Sequence, residues 1–200
     1  MHLIATTKKI QALVGVKQDG IYGPNTATAI WEELNNTGGT WDDPPENVND
    51  QPFDPRTEKN LSTLQPGARG IFRPFVRRAM AVAAPMGVTL KVICGYRNET
   101  DQNAAKARGA SKASWGYGWH NYGMAIDFGC FKGNAYLDSS DPSKANAVYA
   151  AVGAICDQYG LEWGGSWRSF RDFPHYQVNT GRSSPNAADR RALFAGTWSY

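Results

Sequence analysis

The stretch WGYGWHNYGMAIDFGC, residues 115–130, limits what this chain can become more than any other, because it sets His120 seven positions before Asp127. On a helix the two would share a face but stand two turns, about 10 Å, apart, too far for one metal ion whose bonds are each roughly 2 Å. On one straight strand they would be farther apart still and on opposite faces. The pair can meet only if the chain bends between them, and Gly123 permits the bend. After it, Met124 to Phe128 reads as a strand, with Met124, Ile126 and Phe128 facing one way and Ala125, Asp127 and Gly129 the other. Asp127 then sits between small residues on a face with room for an ion or a substrate. On this stretch alone a second reading stands beside it: Asp127 caps a turn and His120 is a satisfied polar residue.

Length and composition narrow the class. Two hundred residues, 42% hydrophobic and 12% aromatic, describe an ordered globular chain of one medium domain with at most a small appendage. The net charge is +3, and the basic residues are dispersed apart from pairs such as Arg77-Arg78 and Arg190-Arg191. That argues against nucleic acid as a partner and leaves an anionic polymer such as a cell wall open. Cys94, Cys130 and Cys156 are an odd, sparse set, expected as buried thiols of a protein made in a reducing compartment. MHLIATTKKIQALVGV lacks the features of a signal peptide, and no run reaches membrane-spanning length. The expectation is a protein made in a cytoplasm, not inserted in a membrane, which needs a separate release route if it acts outside.

Along the chain, residues 1–34 read as a small helical unit: Leu3, Ile10, Leu13 and Val14 fit one helix face, DGIYGP makes a turn, and Asn25 caps a helix to Leu34. Residues 35–55, rich in Gly, Pro, Asn and Asp, read as a linker. Residues 56–200 form the second domain. It opens on helices, with Pro74 expected to start the main one and Gly87 to end it. Thr89 to Tyr96 reads as a strand, Asn98 as the cap of a helix ended by Gly109, and Asp141-Pro142 as the start of a helix running to Gly160. The last residues of RDFPHYQV read as a strand, and Ser184-Pro185 starts a final helix.

The other internal histidine, His175, sits with Asp172 in D-F-P-H. A catalytic zinc site takes three protein ligands and keeps one position open, and His120, Asp127 and His175 supply a two-histidine, one-carboxylate set. Asp172, with Pro174 stiffening the segment between, is placed to act as general base. Its plainer alternative is a surface turn or an ion pair with Arg171.

His120-N-Y-G-M-A-I-Asp127, together with Asp172-F-P-His175 and a preceding strand ending G-Y-Arg97, resembles the zinc D-alanyl-D-alanine carboxypeptidase and L-alanyl-D-glutamate endopeptidase family. These are peptidoglycan peptidases of bacteria and phage endolysins that share a fold with the hedgehog signalling domain. The resemblance covers about residues 56–178. The segment around Glu58, Lys59, Asn60 and Leu61, with WGGSW, is closer to the endopeptidase branch. The resemblance implies zinc on His120, Asp127 and His175, Asp172 as acid/base, and Arg97 on the substrate carbonyl or carboxylate, steadying the oxyanion. It also implies Gln102 in the substrate site. Two departures stand out: Gly118 replaces the Ser common two residues before the first histidine, and the base is Asp where many relatives have Glu. Asp19-Gly20-Ile21-Tyr22-Gly23-Pro24-x-Thr26 in turn resembles the small peptidoglycan-binding repeat of wall hydrolases; its plainer alternative is a helical hairpin.

Of the aromatic residues around the two motifs, Trp119 and Tyr122 are expected nearest ligand, while Glu162 is expected to serve structure. The whole reading is an α+β domain, a small antiparallel sheet flanked by helices, plus an all-α N-terminal unit. It predicts a monomeric zinc peptidase that cuts peptidoglycan stem peptides at the L-alanyl-D-glutamate bond. A phage endolysin released through a separate pore is the expected setting. The alternatives are a D-alanyl-D-alanine carboxypeptidase and a wall-binding protein with a vestigial metal site.

Overall fold

The computed structural model describes residues 52–199. The proposed N-terminal unit and most of the linker lie outside the described residues. Phe53 and Asp54, which the sequence places at the linker's end, are part of the fold: Phe53 is buried in the core, and the Asp54 carboxylate caps helix α1, Pro55–Ser62, by accepting from the Arg56 and Thr57 amides. Helix α2 runs Pro66–Ala83 and buries Ala68, Ile71, Phe72, Phe75, Val76, Ala79 and Ala83 along one stripe. The expected start at Pro74 is corrected: Pro66 occupies the first turn and Pro74 lies inside the helix, on its exposed side. There its lost hydrogen bond is Gly70's carbonyl, on a residue that water reaches. Gly87, left-handed at φ 68°, ends the turn that follows, as expected.

Five strands form one antiparallel sheet. β1 is Thr89–Cys94, β2 Ala125–Lys132, β3 Ala135–Tyr136, β4 Leu161–Trp163 and β5 His175–Val178, in the order β1-β2-β5-β4, with β3 pairing the far end of β2. Between β1 and β2 lies α3, Glu99–Ala107, whose N-cap Asn98 accepts from the Asp101 amide. Helices α4, Leu137–Ser140, and α5, Pro142–Gly153, separate β3 from β4, and α6, Ala187–Phe194, closes the described chain behind a capping box of Asn186 and Asp189. Helix α5 stops at Gly153, not at Gly160; the chain goes on as a short 3-10 turn, Cys156–Tyr159, before Gly160 turns left-handed. A Cβ on Gly153 would overlap the Trp163 ring at 2.4 Å, so β4 packs directly on that end of the helix.

One sheet face carries Leu90, Val92, Ile126, Phe128, Tyr176 and Val178 against α2 and α5, all at most 1% exposed. Phe75 of α2 meets Phe128 and Tyr176 with ring centres 6.0 and 5.4 Å apart, and these two meet each other at 5.3 Å. The opposite face holds the polar residues. The outer edge of β1 is covered by α1: Thr57 Oγ1 accepts from the Val92 amide, and Asn60 Nδ2 donates to the Val92 carbonyl, at 3.0 and 2.9 Å.

Candidate metal centre

Three strands bring the site together by register. Asp127, midway along β2, lies directly opposite His175 of β5 on one side and Cys94 of β1 on the other. Directly opposed residues share a face with Cβ atoms about 5 Å apart. His120 arrives from outside the sheet, on a 3-10 turn, Trp119–Tyr122, that ends at Gly123 with φ 63°. Gly123 is the bend that the His120–Asp127 spacing demands. It also has no room for a side chain, since a Cβ there would stand 2.9 Å from the Gln65 nitrogen. Strand β2 then alternates as expected, with Met124, Ile126 and Phe128 fully buried and Asp127 opening to the other side.

His120 Nε2, His175 Nδ1 and Asp127 Oδ1 converge: the separations are 3.0 Å from His120 to Asp127, 3.1 Å between the histidines and 3.2 Å from His175 to Asp127. The proton positions of both rings follow from their outer nitrogens. His120 Nδ1 lies 2.7 Å from the Gly95 carbonyl, which can only accept, so Nδ1 holds the hydrogen. His175 Nε2 lies 3.0 Å from Gln177 Oε1, and the amide nitrogen of Gln177 is committed as donor to Glu162 Oε2 at 3.0 Å. When both rings are neutral with their hydrogens on these outer nitrogens, two lone pairs and a carboxylate oxygen point at one small volume, a place that a proton on His120 takes without a metal. That is a donor set for a cation. Ligands about 2.0–2.1 Å from a tetrahedral zinc stand roughly 3.3 Å apart, close to the separations found here.

Electrostatics agree with a site built around positive charge. Burial opposes protonation of His120, but the Asp127 carboxylate outweighs it and pushes the imidazole up to about 10 without a metal. Asp127 is driven up by burial and further down by His120 and His175, and ends well below the usual carboxylate range. Its second oxygen takes the Arg97 guanidinium. Burial lowers the Arg97 pKa and the charge of Asp127 raises it, with a net rise.

Asp172 lines the same cleft, of about 210 Å³, together with Arg97, His120, His175 and Trp167. Its carboxyl is raised above the ordinary aspartate value, first by burial and then by the charge of Asp127, so it holds a proton more readily than a surface acid. The turn that carries it is tight: Asp172 accepts from the His175 amide and donates its own to Gly164, where a Cβ would come within 2.6 Å of the Asp172 carbonyl. The ion pair with Arg171 weighed from sequence is not among the salt bridges of the described residues; Asp172 faces the cleft.

Other expectations fare differently. Gln102 lines the cleft but is 1% exposed; its amide nitrogen holds Ser111 and the Ala113 carbonyl, and its oxygen takes Asn121, so it builds the wall. Trp119 is buried against the cleft. Tyr122 is buried too, bonds the Gly116 carbonyl, and borders a separate groove with Tyr96, Trp115 and Trp198. Cys94 is corrected from a core thiol to a half-buried one: a bulge between Val92 and Cys94 turns it to the polar face, where it accepts from Arg97 Nε at 3.1 Å. Cys94, His120 and Asp127 could also close on an ion. The sulfur, however, sits 3.8 Å from the protonated Nδ1 of His120, behind the convergence point. Cys130 and Cys156 are buried, as expected. Phe170 and Lys112 at the cleft mouth had no signal in spacing or motif, whereas Trp167 beside them ends the WGGSW stretch; the Lys112 ammonium lies 4.2 Å over the Phe170 ring.

Residues 111–178 match the family profile described as D-alanyl-D-alanine carboxypeptidase, and the resemblance carried by the H-x6-D and D-x-x-H motifs is borne out over that stretch. The chain is similar to the peptidoglycan L-alanyl-D-glutamate endopeptidase CwlK of Bacillus subtilis, 32% identical over 109 residues, covering 49% of this chain and 65% of that protein, just under two thirds of it. Among solved structures it is similar to the L-Ala D-Glu endopeptidase ChiX of Serratia marcescens, at 24% identity and TM-score 0.47, covering 66% of this chain and 93% of that one. It is also similar to the vancomycin-resistance D,D-pentapeptidase VanY in complex with Zn(II), at 18% identity and TM-score 0.38, covering 62% and 76%.

Proposed function

We propose that this chain, which matches the D-alanyl-D-alanine carboxypeptidase profile over residues 111–178, is a zinc peptidase that hydrolyses the L-alanyl-D-glutamate bond of peptidoglycan stem peptides. The observation that carries the reading is the meeting of two imidazole nitrogens and a carboxylate oxygen at 3.0–3.2 Å beneath a cleft that also holds a raised carboxyl and a guanidinium. The choice of bond draws support from the similarity to CwlK, whose name gives that activity.

His120, Asp127 and His175 would hold the ion. When bound, zinc polarises a carbonyl oxygen and makes water acidic enough to ionise near neutral pH. Asp172 takes the proton of the attacking water and delivers it to the amide nitrogen as the C–N bond breaks, leaving a new carboxylate and a free amine. A carboxyl raised by burial suits both halves of that task. Arg97, held by Cys94 and Asp127, offers positive charge on the cleft side, where the carbonyl oxygen turns negative. Gly118 lines the cleft in place of a hydroxyl, so the substrate contacts there are to backbone or water.

We extend the proposal to a phage-type lysin that meets the wall after release through a separate pore, resting on its proposed chemistry and on the resemblance of residues 19–26 to a peptidoglycan-binding repeat. Incubation of the zinc-loaded protein with purified peptidoglycan, followed by mass spectrometry, decides the bond. New D-glutamate amines are expected; free D-alanine would mean a carboxypeptidase, and no product would mean a binding protein with an idle metal site.

A further inference from the structure

Glu162 takes no part in the reaction just described, yet it is hydrogen-bonded on both oxygens. Oε1 accepts from the Trp167 indole and Oε2 from the Gln177 amide nitrogen. The Trp167 ring packs against His175 with centres 5.1 Å apart, and Gln177, 1% exposed, hands its oxygen to His175 Nε2. Register produces this chain. Glu162 of β4 lies directly opposite Gln177 of β5, and Gln177 lies two residues from His175, hence on the same face.

Resting on the metal reading above, we propose that Glu162 and Gln177 form a relay that sets which nitrogen of His175 is free for the metal. A glutamine side chain can present either its oxygen or its NH2 to a neighbour. Glu162 accepts on both oxygens, so it compels Gln177 to turn its NH2 toward Glu162 and its oxygen toward His175. The oxygen then accepts from Nε2–H, and the lone pair is left on Nδ1, facing Asp127 and His120. With Gln177 reversed, its NH2 would donate to Nε2, the ring hydrogen would move to Nδ1, and the metal-facing position would be blocked. Glu162 and Gln177 are positioning residues; neither is among the groups that meet at the site.

The test uses the full chain and zinc alone. In Glu162→Gln, an amide must serve two N–H donors with a single oxygen. Keeping Trp167 satisfied turns its NH2 on Gln177, which reverses. Zinc affinity, measured by competition with a coloured chelator, is expected to fall about 10–100-fold, the usual cost of losing such an outer partner. In the swap Glu162→Gln with Gln177→Glu, residue 162 accepts from Trp167 and donates to the carboxylate at 177, which accepts from His175, so affinity returns to near the wild-type value. A role in packing alone would not be restored by the swap, and the melting temperature of the metal-free proteins reports any loss of fold separately. Long-range proton–nitrogen NMR of the metal-free wild type is expected to show the His175 hydrogen on Nε2, which needs no variant to fold. A hydrogen on Nδ1, an unchanged affinity in the single variant, or a swap that stays weak while folded overturns the relay. A wild type that takes up no zinc overturns instead the metal reading on which it rests.

Discussion

Asp172 is the residue on which the proposed chemistry turns, because it is the one raised carboxyl in the cleft that is not among the converging donors. Asp172→Asn keeps size and shape but cannot accept the water's proton. Hydrolysis of wall fragments should fall by a factor of about 10²–10⁴ while zinc content, read by elemental analysis, stays at the wild-type level; parallel loss of metal would mean that Asp172 supports the site and does not act in it. The sign of its pH dependence follows from the shift. As the proposed base Asp172 would work deprotonated, and its pKa lies above that of an ordinary aspartate. Activity is therefore lost as pH falls through that raised value, at a higher pH than a surface aspartate would set. A pH–rate profile of kcat/KM, limited to pH values at which zinc stays bound, checks it. Asp127→Asn acts differently: it removes the charge that both histidines and Arg97 face, so zinc binding, not only turnover, should be lost.

At the scale of elements, the Gly164–Asp172 contact makes a cleaner prediction than any side chain. Gly164→Ala pushes a methyl group to within 3.2 Å of both the Asp172 and His175 Cβ atoms and closer still to the Asp172 backbone. The turn must move, and a catalytic group displaced by even 1 Å can cost about 10²-fold. A fall in kcat with the protein still folded by circular dichroism is expected; wild-type kcat would show the turn to be softer than the packing suggests. Much of this geometry was readable in the chain. The Gly123 bend, the alternation around Asp127 and the caps at Asn98 and Asp141 are local, each decided within a few residues. What escaped was decided elsewhere. Pro66 and Pro74 both suit a helix start, and only the burial of Ala68, Ile71 and Phe72 in the core chooses between them. The apolar spacing beyond Gly153 continues a helical pattern that the approach of Trp163 interrupts. Three-residue β4 is too short to alternate and exists by pairing with β5. Cys94 faces the site through a bulge that no spacing announces.

For the molecule as a whole, an ion held by the three converging donors would be coupled to the fold, because they come from the 3-10 turn before β2, from β2 and from β5. An ion that binds the folded form stabilises it by RT ln(1 + [L]/Kd), about 2.7 kcal/mol at one hundred times Kd. The melting temperature should rise with zinc and drop back on chelation, whereas an ion held outside the fold would leave it unmoved. Among the described residues no helix is long and apolar enough to cross a membrane. The core beneath the site rests on Phe75, Phe128 and Tyr176, and Phe75→Ala should cost about 3–5 kcal/mol in urea unfolding. Tyr176 carries a consequence of its own. It sits between His175 and Gln177, its ring in the core and its hydroxyl 2.8 Å from the Tyr149 carbonyl. A slip of one residue along β5 would exchange the two faces, sending both polar neighbours into oil and the tyrosine into the cleft. Tyr176 thus works as the detent of a ratchet: a residue outside the convergence point keeps His175 in the one notch from which that point can be reached.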